Sequence, residues 1–333
     1  MRIFVIEYIT GGGLVNERLA SELLDEAQTM VSALLADLGD TPDVQLLVSR
    51  DPRLPRPLVP CEIFTPRQGE DVWKLWRRGM ERCDAVWPLM PETGGLLERI
   101  SRLTLDAGCR LIGSRPDAVR ITASKLQTSA CLRSHGIAVV PTYAAAEPVR
   151  EPAARWVSKP DDGVGCEGIR IFADREALAA ALDPEASGNT VVQPYIEGTA
   201  ASLSLLCHAG EARLLSCNLQ QVAEVDGRFH LRGIRVDGLR QRDGCAELGR
   251  SIARAIPDLW GYVGVDLICT ASGPRVLEVN PRLTVSYAGL RAALKLNPAG
   301  LVLRLLRDGP AVLADRCTAR AGSAVNLTVA CGG

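Results

Sequence analysis

The chain has 333 residues, 47% hydrophobic and 23% charged, a size and makeup that suit two or three packed soluble subdomains. Its 38 basic side chains stand against 39 acidic ones for a formal net charge of −1, so there is no broad basic field for nucleic acid or an anionic membrane. No apolar run approaches the roughly 18 residues of a membrane span, and the first strand pattern runs into charge with no small-residue cleavage site.

Strand and helix signals alternate over the first third. Residues 2–6 read as a strand, and Gly11-Gly12-Gly13 as a turn. Leu19, Leu23, Ala27, Met30, Val31, Leu34 and Leu38 then recur at three- and four-residue steps, which predicts one amphipathic helix. Residues 44–48, 61–64, 84–87 and 110–112 are further strand candidates, with an apolar-periodic stretch at 96–105. That alternation predicts a mostly parallel α/β domain over residues 1–112. From 113 to 198 a helix carrying Lys125 ends at His135-Gly136, and short strands follow at 155–159, 169–172 and 191–195, with a small helix at 174–182. From 199 to 333 the pattern is strand-rich as far as Val279, apart from a helix near 246–256, and closes with helices near 287–294 and 298–306. The polar, weakly patterned stretch 226–243 predicts a mobile loop over a site.

Lys159-Pro160-Asp161-Asp162-Gly163-Val164-Gly165-Cys166-Glu167-Gly168 puts a lysine at a strand end before a loop of three glycines. Backbone N–H groups in such a loop can turn toward phosphate oxygens, and the lysine adds a fixed charge for the same anion. It is not a Walker loop, since no Gly-Lys-Ser/Thr precedes a helix, and an ordinary glycine-rich hairpin remains the alternative.

Residues 263–268 and 275–282 read as two strands joined by a turn. A hairpin symmetric about Ser272 places Asp266 opposite Glu278, with Asn280 two residues on and on the same face. Paired carboxylates repel and need a cation or a proton, and this oxygen donor set suits Mg2+ or Mn2+. The alternative is a solvent-facing strand side with one carboxylate paired to Arg282. Residues 190–198, with Gln193, Pro194, Tyr195, Ile196 and Glu197, read either as an edge strand or as a backbone edge for a flat heterocycle.

Other features are weaker. Gly11-Gly12-Gly13 lacks dinucleotide-fingerprint spacing, which leaves a substrate loop as its functional alternative, and His135, His208 and His230 suggest neither a triad nor a metal site. The eleven cysteines are scattered singly without zinc spacing, and their odd number points to reduced thiols in a cytoplasmic protein. Cys166 has no neighbouring base and reads as a small loop residue.

Taken in order, Lys125, Lys159-Pro160 with its glycine loop, residues 193–198, Asp266, Glu278 and Asn280-Pro281-Arg282 resemble the ATP-grasp superfamily. The resemblance spans roughly residues 110 to 310, and the preceding third resembles a pre-ATP-grasp domain. It implies a two-lobed ATP-grasp fold, α+β in its C-terminal part. By this resemblance Lys125 and Lys159 bind nucleotide phosphates, Gly163, Gly165 and Gly168 close over them, and Gln193, Tyr195 and Ile196 hold adenine. Asp266, Glu278 and Asn280 would hold Mg2+ or Mn2+. Ser124 stands where many relatives have aspartate, and the usual acidic ribose ligand is missing at Thr199-Ala200, which leaves Glu197 as the substitute.

Glu7-Tyr8-Ile9-Thr10-Gly11-Gly12-Gly13, Asn218-Leu219-Gln220 and residues 280–290 are further similar to the tyramine–glutamate ligases of methanofuran biosynthesis. That group implies amide formation between the glutamate γ-carboxylate and tyramine or tyrosine, with ATP cleaved to ADP and phosphate. Arg282 is then the first candidate to hold the acyl phosphate or substrate carboxylate, and Arg235 the second. The partners implied are small molecules, with no nucleic acid and no membrane; homo-oligomerisation stays open. The competing readings are an ATP-grasp ligase for another acid and amine, and a nucleotide-binding regulatory protein.

Overall fold

The computed structural model describes residues 1–19, 21–147, 152–165, 168–182, 188–314 and 322–329. The first sheet has five parallel strands: β1 (Arg2–Glu7), β2 (Gln45–Ser49), β3 (Glu62–Phe64), β4 (Ala85–Leu89) and β5 (Arg110–Leu111), in the order β3-β2-β1-β4-β5. Because β1 is covered on both faces, Ile3 to Ile6 form an unbroken apolar run rather than an alternating one. Helix α1 (Ser21–Gly39) lays Val31, Leu34 and Leu38 on the face of Ile3 and Val5. Helices α2 (Val72–Met80) and α3 (Leu96–Asp106) pack Trp76, Met80, Leu97 and Ile100 against Phe4 and Ile6 on the other. Helix α2 is not anticipated by the sequence pattern, because only nine residues carry its apolar face between basic ones; its start is marked by Asp71, whose carboxylate accepts from Trp73 N and Lys74 N.

Two helices follow, α4 (Pro116–Ala123) and α5 (Lys125–Ser134), and then a four-stranded sheet. Its strands β6 (Tyr143–Ala144), β7 (Trp156–Pro160), β8 (Arg170–Phe172) and β9 (Thr190–Pro194) run in the order β6-β9-β7-β8, with α6 (Arg175–Ala181) closing Leu178 onto Trp156 and Phe172. The third sheet is antiparallel: β10 (Thr199–His208), β11 (Glu211–Val225), β12 (Arg228–Val236), β13 (Gly261–Thr270), β14 (Gly273–Asn280) and β15 (Val325–Thr328), ordered β14-β13-β10-β11-β12-β15. On one face Leu203, Leu205, Val263 and Val265 pack with Ile252 and Ile256 of the α7 (Cys245–Ala255) region and with Leu132 of α5. On the other, Ile234, Val236 and Tyr262 join α8 (Tyr287–Leu294), α9 (Pro298–Asp308) and α1 in one core that runs through to the first sheet.

The expected mobile loop at 226–243 is a correction. Half of it is strand β12, held by β11 on one side and β15 on the other, and residues 237–243 run on as turn and irregular chain. Its exposed arginines hide the strand pattern, and its outer partner lies some ninety residues away, beyond the reach of a local reading. No helix among the described residues is long and apolar enough to cross a membrane, and none of the described cysteines is disulfide-bonded.

Candidate active site

The carboxylates meet at the end of the β13–β14 hairpin, by a route the sequence does not reveal. Thr270 pairs with Gly273 around a two-residue turn, so the hairpin is not symmetric about Ser272. Unbroken, that register would set Asp266 opposite Leu277. A bulge between Leu267 and Asp266 passes over Leu277 and brings Asp266 opposite Glu278, with Asn280 opposite Gly264 beyond. Gln220 Nε2 donates to Asp266 Oδ1 at 2.8 Å and Asn280 Nδ2 to Asp266 Oδ2 at 3.0 Å. Burial, with Glu278 alongside, pushes the Asp266 carboxyl up to about 7. Burial acts on Glu278 in the same direction, but the charges of Lys125, Lys159 and Arg282 and a hydrogen bond with Asp266 hold it below the ordinary carboxylate range. These are two partly buried carboxylates within hydrogen-bonding reach, with amides on Asp266 and the lysine charges on the Glu278 side, so the pair shares a proton or a cation. Asp266, Glu278 and the Asn280 side-chain oxygen are hard donors that fit a divalent cation such as Mg2+.

Lys125 is the first residue of α5, and Ser124 is that helix's N-cap, its Oγ accepting from Gln127 N at 3.0 Å. The serine thus satisfies a free amide at the start of the helix. The Lys125 ammonium, 7% exposed, reaches Gly163 O at 2.5 Å, Asp161 O at 3.3 Å and Glu278 Oε2 at 3.5 Å, and so ties the glycine loop to the carboxylate pair. Lys159, buried on β7, adds its field to Glu278. Gly165 and Gly168 take positive φ of 62° and 70°, and a Cβ at Gly168 would lie 2.9 Å from the Pro160 ring, so glycine is required there. Cys166 lies outside the described residues. The loop is anchored across the molecule: Gly94 N donates to Asp162 Oδ2 at 2.9 Å, and Thr93 Oγ1 to Asp162 O at 2.9 Å.

At the hinge, Gln193 is buried and donates to Thr142 Oγ1 at 2.8 Å, so its side chain holds the strand in place. The Tyr195 ring stacks on Phe229 of β12 at 6.1 Å and lies under the Arg155 guanidinium, linking the small sheet to the large one. Tyr195, Ile196 and Glu197 line a cavity of about 540 Å3 with Pro141, Thr270 and Arg275.

Arg282 is 13% exposed and is not paired to the hairpin carboxylates. Its Nε and Nη2 both donate to Glu92 Oε2, at 3.0 and 2.9 Å, and its Nη1 to Leu283 O at 3.1 Å. Arg235 is placed elsewhere. It pairs with Leu219, Leu219 with Ala201 and Ala201 with Leu267, so it lies on the sheet face opposite Asp266. The loop expected around it is strand, and the arginine is exposed on that strand, not over the carboxylates. Glu92 and Gln220 escape the sequence reading. Glu92 meets Arg282 across 190 residues, and only the alternation of Asn218 with Gln220 hints that the latter faces Asp266.

Residues 122–286 match the profile of an ATP-grasp domain and residues 44–119 that of a pre-ATP-grasp domain. A tyramine–L-glutamate ligase from Methanocaldococcus jannaschii is 24% identical over 219 residues, which is 66% of this chain and 61% of the relative's length. An ATP-grasp superfamily protein of Archaeoglobus fulgidus superposes with a TM-score of 0.69 at 22% identity, covering 91% of this chain and 88% of that one. An L-amino acid ligase from Bacillus licheniformis does so with a TM-score of 0.66 at 15% identity, covering 92% of this chain and 74% of the other.

Proposed function

The chain belongs to the ATP-grasp superfamily, and we propose that it is an ADP-forming ligase that joins a carboxylate to an amine through an acyl phosphate. One observation carries this reading: the Asp266–Glu278 pair, the Lys125 bridge and the glycine loop converge on one site. A carboxylate is a poor acyl donor, so its oxygen first attacks the γ-phosphorus of ATP and ADP leaves. The amine then attacks the acyl carbon, and phosphate and a proton depart.

Lys125 and Lys159 lie where cationic groups can meet phosphate oxygens, with Lys125 fixed by the same carbonyls that shape the loop. Mg2+ held by Asp266, Glu278 and Asn280 would offset charge on the transferring phosphoryl group. No enzyme nucleophile is needed. Tyr195, Ile196 and Glu197 are our candidates for the adenosine, beside the cavity they line. Arg282, held rigid by Glu92, is our candidate to meet the acyl phosphate.

For substrates we propose glutamate, reacting at its γ-carboxylate, and tyramine or tyrosine, in the biosynthesis of a methanofuran-type cofactor. The 24% identity to a tyramine–L-glutamate ligase supports this. The test is ADP release with ATP, Mg2+ and a panel of acids and amines. We expect release to require both organic substrates and the γ-glutamyl amide to appear by mass spectrometry. Bound ATP with no turnover across the panel would overturn the reading.

A further inference from the structure

We propose that the buried Glu92 carboxylate receives the ammonium group of the amine substrate; this rests on the ligase reading above. The Arg282 guanidinium is already committed, with Nε and Nη2 on one oxygen of Glu92 and Nη1 on the Leu283 carbonyl. Both bonds from Arg282 to Glu92 fall on Oε2. The other oxygen, Oε1, is buried in a side chain only 5% exposed and has no hydrogen-bond partner among the described residues. A carboxylate oxygen stripped of water and given no donor is rare in native proteins and marks a place where a donor is to be supplied.

A second carboxylate lies within electrostatic reach of the same guanidinium. Burial raises Glu26 on α1, the Arg282 charge opposes that rise, and no ion pair or hydrogen bond holds Glu26 among the described residues. Glu26 and Glu92 both feel Arg282, which also acts with Lys125 and Lys159 on Glu278. The unpartnered Oε1 leaves Glu92 short of a donor.

A primary ammonium fits that shortage better than a metal ion or an anion. It carries one charge and three donors, one of which would satisfy Oε1 while Oε2 stays on Arg282. A divalent cation would sit against the guanidinium, and an acidic substrate against two carboxylates. The location agrees. Glu92 follows β4 at the carboxyl edge of the parallel sheet, where open α/β sheets gather ligands. The next two residues, Thr93 and Gly94, grip Asp162 of the glycine loop, so an amine held by Glu92 lies beside the nucleotide end of the site. Tyr8, Trp73 and Trp76 pack edge to face along the same sheet edge, where Trp76 Nε1 donates to Ser49 Oγ at the end of β2.

The test compares tyramine with 4-ethylphenol, which has the same ring but no ammonium, as ligands of the Mg-ADP complex of the wild type, Glu92→Gln and Glu26→Gln. Wild type should bind tyramine the tighter. Glu92→Gln should weaken tyramine roughly 10- to 100-fold and raise its KM by a similar factor, with a lower kcat because Arg282 loses its partner; Glu26→Gln should weaken tyramine less, and 4-ethylphenol binding and the KM for ATP should stay unchanged in both. A rise in the KM for the acid with none for the amine would show that Glu92 serves only to hold Arg282, and would overturn the proposal. So would equal binding of the two ligands by the wild type, whatever the turnover. Absence of amine-dependent ADP release in a wild type that still prefers tyramine would count against the ligase reading alone. Should Glu92→Gln fail to fold, Glu26→Gln carries the same comparison.

Discussion

Asp37 is buried and Asp266 partly so; burial pushes both carboxyls upward, and they do different work. Asp37, on α1, has its carboxylate accounted for: Tyr287 Oη donates to Oδ2 at 2.8 Å and Arg291 Nη1 to Oδ1 at 3.2 Å. These contacts fasten α1 to α8 inside the shared core. Asp266 accepts from two amides but lies beside a second partly buried carboxylate, and the cations nearby act mainly on Glu278. Burial alone therefore does not mark a functional acid. An unsettled charge does, and the same contrast separates Glu92 Oε1 from the satisfied oxygens of Asp37.

Substitutions on the two sides should separate cleanly. The largest effect belongs to Glu278→Gln, which removes one charge of the crowded pair: we expect turnover to fall by at least about 10^2- to 10^3-fold, with an unchanged circular dichroism spectrum. Wild-type activity in this variant would detach the carboxylates from catalysis. Lys125→Met should come next, raising the KM for ATP roughly 10- to 100-fold as the link between the glycine loop and Glu278 is lost.

On the structural side, Tyr287→Phe should cost about 1–3 kcal/mol in urea unfolding, because Asp37 loses a buried donor, while kcat stays at the wild-type value. The pH dependence gives a finer test. Asp37 binds its proton more tightly folded than unfolded, so its contribution is fully present below the unfolded carboxylate pKa and is lost as pH rises through the raised folded value. Asp37→Asn should remove that part of the decline, and the difference between wild-type and variant unfolding free energies across this range measures it. The smallest effect is expected of Arg155→Ala. It breaks a partly exposed pair with Glu224 and removes the guanidinium over Tyr195, and urea unfolding should show only a small loss of stability.

Much of this was legible in the residues. The five strands of the first sheet announced themselves because a parallel sheet buried on both faces needs short continuous apolar runs, as at Ile3 to Ile6. The Asp266–Glu278 pairing was anticipated, though from a hairpin symmetry that does not exist; the tighter turn and the bulge at Leu277 offset each other. A one-residue departure of that kind leaves no trace in composition or period. Glu92 and Glu26 look like surface acids in sequence and become site residues only when the first sheet's edge closes on Arg282. Strand β12 was hidden for a related reason, since β15 supplies its outer hydrogen bonds from far along the chain.

The central claim is that ATP activates a carboxylate in this site. Supplying the acid substrate with 18O in its carboxylate and analysing the phosphate released by mass spectrometry tests it most directly. We predict one 18O atom per phosphate, appearing only when the amine is present to complete the reaction and lost with Glu278→Gln. Unlabelled phosphate formed alongside the amide would contradict the account.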